Sequence, residues 1–311
     1  MRRVAALLAA ALLAAPIGCG GSGAEPGAPK GATLVLDFQP NAVHSGIYAA
    51  EAAGGFEDEG LDLTIREPSS TADSAKLLES GRADFAVMDI NDFGIARERD
   101  LDLVAIAAIV QRPLASVIAR DRNEIRTPAD LTGKTIGVTG VPSDDAVLDT
   151  VLRSGGVDPS SVHRVTIGFN AVADLAAGKL DAATAFWNAE GVELERRGIP
   201  IREFRVDQFG APRYPELVVV ARAGDEQLGA RLTAALSRGY EVLARDPQQA
   251  LDDLLGQVPG LDRSAQQAQL ESLTAGQAFA LGPTAATPHL DPASVERWHA
   301  WAREAGLLQT G

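Results

Sequence analysis

The sequence predicts an α/β protein of two lobes, with a ligand cleft between them and two strands that cross from one lobe to the other. Short apolar runs alternate with amphipathic helical stretches through most of the chain, a pattern typical of parallel sheets covered by helices. One local pattern, a helix end followed by glycine, a basic residue, aspartate and a strand, occurs at residues 78–85 and again at 176–182. Roughly 290 residues follow the N-terminal leader, which is enough for two separate cores.

The chain begins with the pattern of an export signal. Arg2 and Arg3 precede an apolar stretch at residues 4–17, which is too short for a spanning helix of about 20 residues. Cys19 follows, and a small residue before a cysteine at this point is similar to a bacterial lipobox, in which the cysteine is lipidated. Pro16 stands where leucine is usual, so a soluble secreted protein with an incidental cysteine is the alternative. We expect lipidation of Cys19.

A tether and an acidic body follow the predicted signal peptide, which spans residues 1–18. Residues 19–32 are rich in glycine and proline and contain almost nothing that could enter a core, so they are expected to form a flexible tether. This layout predicts a protein outside the cytoplasm that is held to the cell membrane through its lipid. The formal charge of −14 argues against nucleic acids and anionic membranes as partners.

The first lobe is predicted to contain residues 33–115 and residues 220–311. Its apolar strand cores are those of a buried parallel sheet, and Gly54, Gly55 and Gly81 mark helix ends. We expect strands at residues 33–37, 61–67, 84–89 and 103–112, and helices at 46–56, 71–81 and 90–100.

The second lobe is predicted to contain residues 116–219. It repeats the plan of the first lobe, with strands at 135–138, 163–168, 182–186 and 201–209, and helical stretches at 128–131, 143–154 and 171–178. Strands at 116–121 and 216–223 are expected to cross between the lobes and to form a hinge. The chain then ends in helices at 225–245, 247–256, 262–275 and 291–305, whose starts carry aspartate or proline.

The turn at residues 38–46 carries the strongest functional signal. It follows the first strand, and open α/β sheets gather their ligands at the carboxyl ends of strands. The turn offers a ring, an amide and an imidazole, which suits a flat ligand with polar edges.

Residues 37–46, D-F-Q-P-N-A-V-H-S-G, resemble the D-W-x-P-N-x-x-H-x-G signature of ABC-importer receptors for the pyrimidine precursor of thiamine. The similarity continues through most of the mature chain, including residues 81–87, 140–144 and 186–191. This resemblance implies the type II periplasmic-binding-protein fold, an aminopyrimidine stacked on aromatic rings between the lobes, and a permease and an ATPase as partners. We also expect the chain to be a monomer that holds neither a cofactor nor a metal.

The resemblance and the strand ends together predict the ligand contacts. Several of these residues also have a structural interpretation: Phe38 as a core residue, Asn41, Ser143 and Asp144 as helix caps, His44 as a buried structural histidine, and Glu190 as a helix start. The predicted ligand-binding residues are Phe38, Gln39, Asn41, His44, Asp89, Gln111, Ser143, Asp144, Trp187 and Glu190.

The sequence leaves other ligands and functions open. Phe38, Asp144 and Ala189 depart from the family pattern, and relatives with this fold take riboflavin, alkanesulfonates, taurine or nitrate. The carboxylates of Asp89, Asp144 and Glu190 favour a nitrogen heterocycle over an oxyanion. Pyrimidine synthases of the same superfamily carry a cysteine-rich iron site, whereas this chain has one cysteine and no catalytic motif such as HExxH or GxSxG. We therefore expect a binding protein and not an enzyme, with a sensor as a further alternative.

Overall fold

The computed structural model describes residues 29–68, 73–121, 124–279 and 288–309. The predicted signal peptide, Cys19 and the tether up to residue 28 lie outside these ranges. Among the residues that are described, no helix has both the length and the apolar character needed to cross a membrane.

Two five-stranded mixed sheets, one in each lobe, organise the described residues. The strands are β1 (Lys30–Val35), β2 (Leu61–Arg66), β3 (Phe85–Asp89), β4 (Leu103–Val110), β5 (Ala115–Arg120), β6 (Thr135–Val138), β7 (His163–Thr166), β8 (Ala182–Phe186), β9 (Ile201–Arg205) and β10 (Leu217–Arg222). The helices are α1 (Ser45–Ala52), α2 (Gly55–Asp58), α3 (Asp73–Glu79), α4 (Ile90–Glu98), α5 (Pro142–Ser154), α6 (Ala171–Ala177), α7 (Val192–Arg196), α8 (Glu226–Arg245), α9 (Pro247–Gln257), α10 (Arg263–Ala275) and α11 (Pro292–Glu304).

The sheet of the first lobe has the strand order β2-β1-β3-β10-β4. Strand β1 is parallel to β2 and β3, whereas β10 is antiparallel to β3 and β4. Strand β1 begins at Lys30, three residues before the predicted start at residue 33, because the Lys30 amide donates to the Gly60 carbonyl and Ala32 pairs with Leu63. The end of the predicted tether is therefore part of the sheet.

The sheet of the second lobe has the order β7-β6-β8-β5-β9, with β5 antiparallel to β8 and β9. The two sheets thus share one plan, in which a single antiparallel strand is inserted beside parallel strands. The predicted strand at 201–209 ends earlier than expected, because a 3₁₀ turn at Val206–Gln208 follows β9.

The chain crosses between the lobes in two short connections, residues 111–114 and 206–216. Strand β5 lies wholly in the second sheet and β10 wholly in the first. The segment 217–219, predicted for the second lobe, therefore belongs to the first, because its residues pair with β3 and β4. The two strands predicted to cross between the lobes exist as β5 and β10, but each lies within one sheet. The chain passes between the lobes in the connection that precedes each strand.

Helices α1 and α8 pack closely in the first lobe because glycines lie at their contact. A Cβ atom on Gly46 would lie 2.6 Å from the Tyr240 ring, and one on Gly239 would overlap the Gly46 carbonyl oxygen. This close packing fixes α1, and with it the turn that precedes the helix, against the C-terminal helices.

Candidate functional site

A cleft lies between the two lobes and encloses about 1160 Å³ of empty space, with open solvent at its mouth included. Strand ends and helix starts from both sheets supply its walls. Of the ten predicted binding residues, six line the cleft: Phe38, Asn41, Asp89, Ser143, Asp144 and Glu190. Within the described part of the chain, no arginine, lysine or histidine lines it.

The turn after β1 is held by a buried histidine. The Nδ1 atom of His44 accepts a hydrogen bond from the Asn41 amide at 3.2 Å, so this nitrogen carries no hydrogen. The Nε2 atom therefore carries the hydrogen and donates it to Asp37 Oδ1 at 2.8 Å. His44 is fully buried and does not line the cleft, whereas Asp37 does. The structural interpretation of His44 applies, and its effect is to orient the Asp37 carboxylate.

Asn41 is a cap residue that also faces the cleft. Its Oδ1 atom accepts from the Val43 amide at 3.0 Å and caps the 3₁₀ turn Ala42–His44, while the residue also lines the cleft. Its Nδ2 atom donates to the Gln39 carbonyl at 2.9 Å. The Gln39 side chain is exposed and does not line the cleft.

Two phenylalanines from opposite lobes meet across the cleft. The rings of Phe38 and Phe169 make an edge contact, with centroids 5.3 Å apart and planes at 65°. Phe38 is half-buried and lines the cleft, so it is not a core residue. Phe169 is 59% exposed, which is unusual for so apolar a side chain. Phe169 is not among the residues predicted from the sequence, although its position one residue beyond the predicted strand 163–168 was a usable signal.

The second lobe contributes carboxylates from the starts of two helical segments. Asp144, in the first turn of α5, accepts from the Thr139 amide at 2.6 Å and from the Thr184 hydroxyl at 2.8 Å through Oδ2. Glu190 lies in a π-helical turn, Trp187–Gly191, and accepts from the Phe186 amide at 3.0 Å. Burial raises the pKa of Glu190, and the nearby Asp144 adds to this shift.

Further carboxyl groups come from the first lobe at the junction of β3 and α4. Asp89 Oδ1 caps α4 by accepting from the Asn91 amide at 2.7 Å. Asp92 Oδ1 accepts from the Ser143 hydroxyl at 3.3 Å, a hydrogen bond that joins the two lobes. Burial raises the pKa of Asp92 to about 6, and the proximity of Asp144 contributes to the shift.

Glu216 lies behind Asp89 at the end of the second crossing connection. It is fully buried, and no donor among the described residues reaches either of its carboxylate oxygens at normal hydrogen-bond geometry. Burial raises the pKa of both Glu216 and Asp89 well above the usual range, and the neighbouring carboxyl group raises the pKa of Glu216 further. Two adjacent buried carboxyl groups of this kind share a proton more readily than they both ionise.

Trp187 was expected to stack on the ligand but does not line the cleft. It is buried behind the cleft wall, where its Nε1 atom donates to the Pro113 carbonyl at 2.9 Å. The Arg205 guanidinium lies 4.0 Å from the centroid of its ring. Trp187 therefore packs at the first crossing connection, and Phe186, the residue before it, lines the cleft instead.

Gln111 is also absent from the cleft lining. Its Nε2 atom donates to the carbonyl oxygens of Ala108 at 2.9 Å and His289 at 2.8 Å, so the side chain fastens β4 to the C-terminal segment.

Several polar residues outside the predicted set also line the cleft: Asp37, Ser74, Asp92, Ser116, Thr139, Thr184 and Asn188. Two of them carry unsatisfied atoms, because the buried Ser74 Oγ and Asn188 Oδ1 have no hydrogen-bond partner within the described ranges. Asp37 opens the recognised turn and Asn188 lies between Trp187 and Glu190, so sequence position could have indicated these two.

Comparison with known proteins assigns the family. The profile of the family described as NMT1/THI5 like matches residues 41–250. The chain belongs to this family. A formylaminopyrimidine-binding protein of Halalkalibacterium halodurans is 35% identical over 227 residues, which cover 71% of this chain and 69% of that protein. A putative thiamine biosynthesis protein of Haemophilus influenzae is 31% identical and covers 70% of both chains.

Solved structures establish the fold. The periplasmic aliphatic sulphonate-binding protein SsuA of Escherichia coli superposes with a TM-score of 0.70 at 16% identity, over 90% of this chain and 92% of that one. The alkanesulfonate-binding protein SsuA of Xanthomonas axonopodis pv. citri, bound to MOPS, gives a TM-score of 0.69 at 19% identity, over 91% and 96%. The predicted periplasmic-binding-protein fold is therefore confirmed. Together with the family, it supports a solute-binding role.

Proposed function

We propose that this protein is an extracytoplasmic solute-binding lipoprotein of an ABC importer that captures a small, flat nitrogen heterocycle by closure of its lobes. Pyrimidine precursors of thiamine, such as hydroxymethylpyrimidine or formylaminopyrimidine, are the leading candidates. The observation that carries the proposal is the composition of the cleft, which combines aromatic rings from both lobes with carboxylates and, in the described ranges, has no basic side chain.

The geometry suits an aminopyrimidine. Phe38 and Phe169 offer faces and edges to a flat ring, and aromatic contacts of this kind contribute about 0.5–1.5 kcal/mol beyond area burial. Asp37 and Glu190 present carboxylate oxygens that accept from an exocyclic amino group, and a charge-assisted hydrogen bond is stronger than a neutral one. The 35% identity to a formylaminopyrimidine-binding protein supports the same ligand class.

Binding is favoured over catalysis. A 4-amino-5-hydroxymethyl-2-methylpyrimidine phosphate synthase of Saccharomyces cerevisiae, THI5, is 28% identical, but the match covers only 52% of this chain. The histidine of the turn, His44, is buried and uses both ring nitrogens in hydrogen bonds, so it has no free nitrogen to offer a substrate.

An oxyanion ligand has no comparable support. Sulfonate or nitrate recognition needs converging donors or cations, whereas Asp37, Asp92, Asp144 and Glu190 all line this cleft. The likeness to sulfonate-binding proteins is therefore one of fold.

Ligand-induced stabilisation tests the proposal. The purified protein is heated with aminopyrimidines, riboflavin, taurine or nitrate, and its unfolding temperature is compared with that of the free protein. A ligand at 100 times its dissociation constant adds about 2.7 kcal/mol of stability, enough to raise the unfolding temperature by several degrees. A shift with taurine or nitrate alone would refute the heterocycle assignment.

The anchor is tested separately. We expect Cys19→Ala to release the protein from the membrane fraction while its ligand affinity stays unchanged, because the acyl chains alone provide the attachment. Fractionation followed by immunoblotting measures this release. Membrane retention of the variant would contradict the lipoprotein assignment.

A further inference from the structure

We propose that the cleft binds its heterocycle as a cation, with a protonated amine on the ring substituent held against Asp92. This inference rests on the proposed function and adds the charge of the preferred ligand. Among pyrimidines of the proposed class, it ranks a free amine above the hydroxymethyl and formylamino compounds, because neither of these carries a positive charge on the substituent.

The first support is a surplus of carboxylate in the cleft. Asp89, Asp92 and Asp144, called here the acidic cluster, come from both lobes and lie close enough to disfavour one another's ionisation. Within the described residues, Asp92 and Asp144 each use one carboxylate oxygen in hydrogen bonds, and the other oxygen has no donor. An enclosed carboxylate needs a positive charge or further donors to offset its lost hydration.

The second support is independent of the carboxylates. Ser74 Oγ and Asn188 Oδ1 are buried in the cleft lining and unpartnered in the part of the chain that is described. Asn188 Oδ1 only accepts hydrogen bonds, and the Ser74 hydroxyl accepts as well as donates. An ammonium group has three donors, so it can donate to both oxygens and to a carboxylate, whereas a hydroxyl has one donor.

A bare metal ion does not fit these side chains. Across the described ranges, no group of three or more histidine, cysteine, aspartate or glutamate side chains is arranged to hold one. The acidic cluster is spread along two helix starts, in α4 and α5, and this spacing suits an organic cation that fills the space between them.

A ligand series that varies the charge and size of one ring substituent tests the inference. Isothermal titration calorimetry on the purified full chain compares 4-amino-2-methylpyrimidines with aminomethyl, hydroxymethyl, formylaminomethyl and phosphooxymethyl groups at position 5. We expect the aminomethyl compound to bind at least about tenfold more tightly than the hydroxymethyl compound, and the phosphate ester not to bind. Equal or tighter binding of the hydroxymethyl or formylaminomethyl compound would overturn the inference and leave the proposed function intact. Failure of the whole series would refute both.

Two variants separate the effect of the Asp92 charge on binding from the effect of its contact with the other lobe. Asp92→Asn is expected to lower the affinity for the aminomethyl compound by about tenfold or more, and that for the hydroxymethyl compound by less than about threefold. The reason is that the amide keeps an acceptor for the Ser143 hydroxyl but has no charge. Asp62→Asn, on the exposed side of β2, is the control and leaves both affinities unchanged. An equal loss for both compounds in Asp92→Asn would contradict the inference.

Discussion

His44 is the residue that fixes the cleft turn, and its effect is measurable. We expect His44→Ala to lower the free energy of unfolding by roughly 2–4 kcal/mol, because it removes two hydrogen bonds and leaves the part-buried Asn41 amide without this partner. Urea denaturation measures the loss. His163→Ala, on the exposed strand β7, is the control and should change stability by less than about 0.5 kcal/mol. A loss below about 1 kcal/mol for His44→Ala would show that the network does not hold the turn.

The raised pKa of Asp92 should make the stability of the protein depend on pH. Its pKa is raised from 3.8 to about 6 in the folded protein, so the native state holds this proton more tightly than the unfolded state does. The resulting stabilisation is complete below about pH 4 and is lost as the pH rises through 6. Asp92→Asn, which cannot ionise, should therefore be more stable than wild type by about 1–2 kcal/mol near pH 7.5, and the difference should vanish near pH 4.

Denaturation curves for wild type and Asp92→Asn at both pH values measure this difference. Asp62→Asn, whose side chain is exposed, should show no such pH-dependent gain. If Asp92→Asn were less stable than wild type near pH 7.5, the Asp92 carboxylate would already be stabilised by neighbouring groups in the ligand-free protein.

Single residues were predictable where their role depends on local sequence. Asn41 was identified both as a cap and as a cleft residue, because both roles follow from its place at a strand end before a helix. The roles of Trp187 and Gln111 depend on neighbours far along the chain, Pro113 and His289 respectively. Sequence spacing cannot show such contacts, and neither residue lines the cleft.

At the scale of elements, the contact between α1 and α8 depends on two glycines. We expect Gly239→Ala to destabilise the protein by about 1–3 kcal/mol or more, because its Cβ would overlap backbone atoms of α1 that cannot move aside. Gly256→Ala in α9 is the matched control, since nothing lies within 4 Å of its Cβ position. It should be neutral or stabilise by up to about 1 kcal/mol. Equal effects of the two variants, measured by thermal unfolding, would contradict this close packing.

Most elements were predictable because apolar periodicity and helix caps are local signals. The errors occurred at boundaries that pairing decides. Strand β1 starts at Lys30 because the edge strand β2 supplies partners, and residues 217–219 join the first sheet because β3 and β4 flank them. Neither partner is visible in the local sequence.

At the scale of the whole molecule, the two crossing connections are tied together. Arg112 on the first connection donates to Asp207 on the second at 2.7 Å and also reaches the Gly276 carbonyl at 2.6 Å. The contacts Ser143–Asp92 and Phe38–Phe169 then join the lobes across the cleft. The two-lobe plan was predictable from the repeated pattern. The place of Asp92 in the cleft was not, because it depends on the contact with Ser143 of the other lobe. Phe169 follows the end of a predicted strand, so its position could have indicated it.

The central claim, that a flat heterocycle is held in the cleft against the aromatic rings of the two lobes, is tested most directly by calorimetric titration of an aminopyrimidine into wild type and Phe169→Ala. The variant should bind about tenfold more weakly at unchanged stability, because the ring is 59% exposed and contributes little to the core. Val165→Ala, at another exposed apolar position of the same lobe, should bind as wild type does. An unchanged affinity in Phe169→Ala, or no binding of any aminopyrimidine to wild type, would contradict the claim.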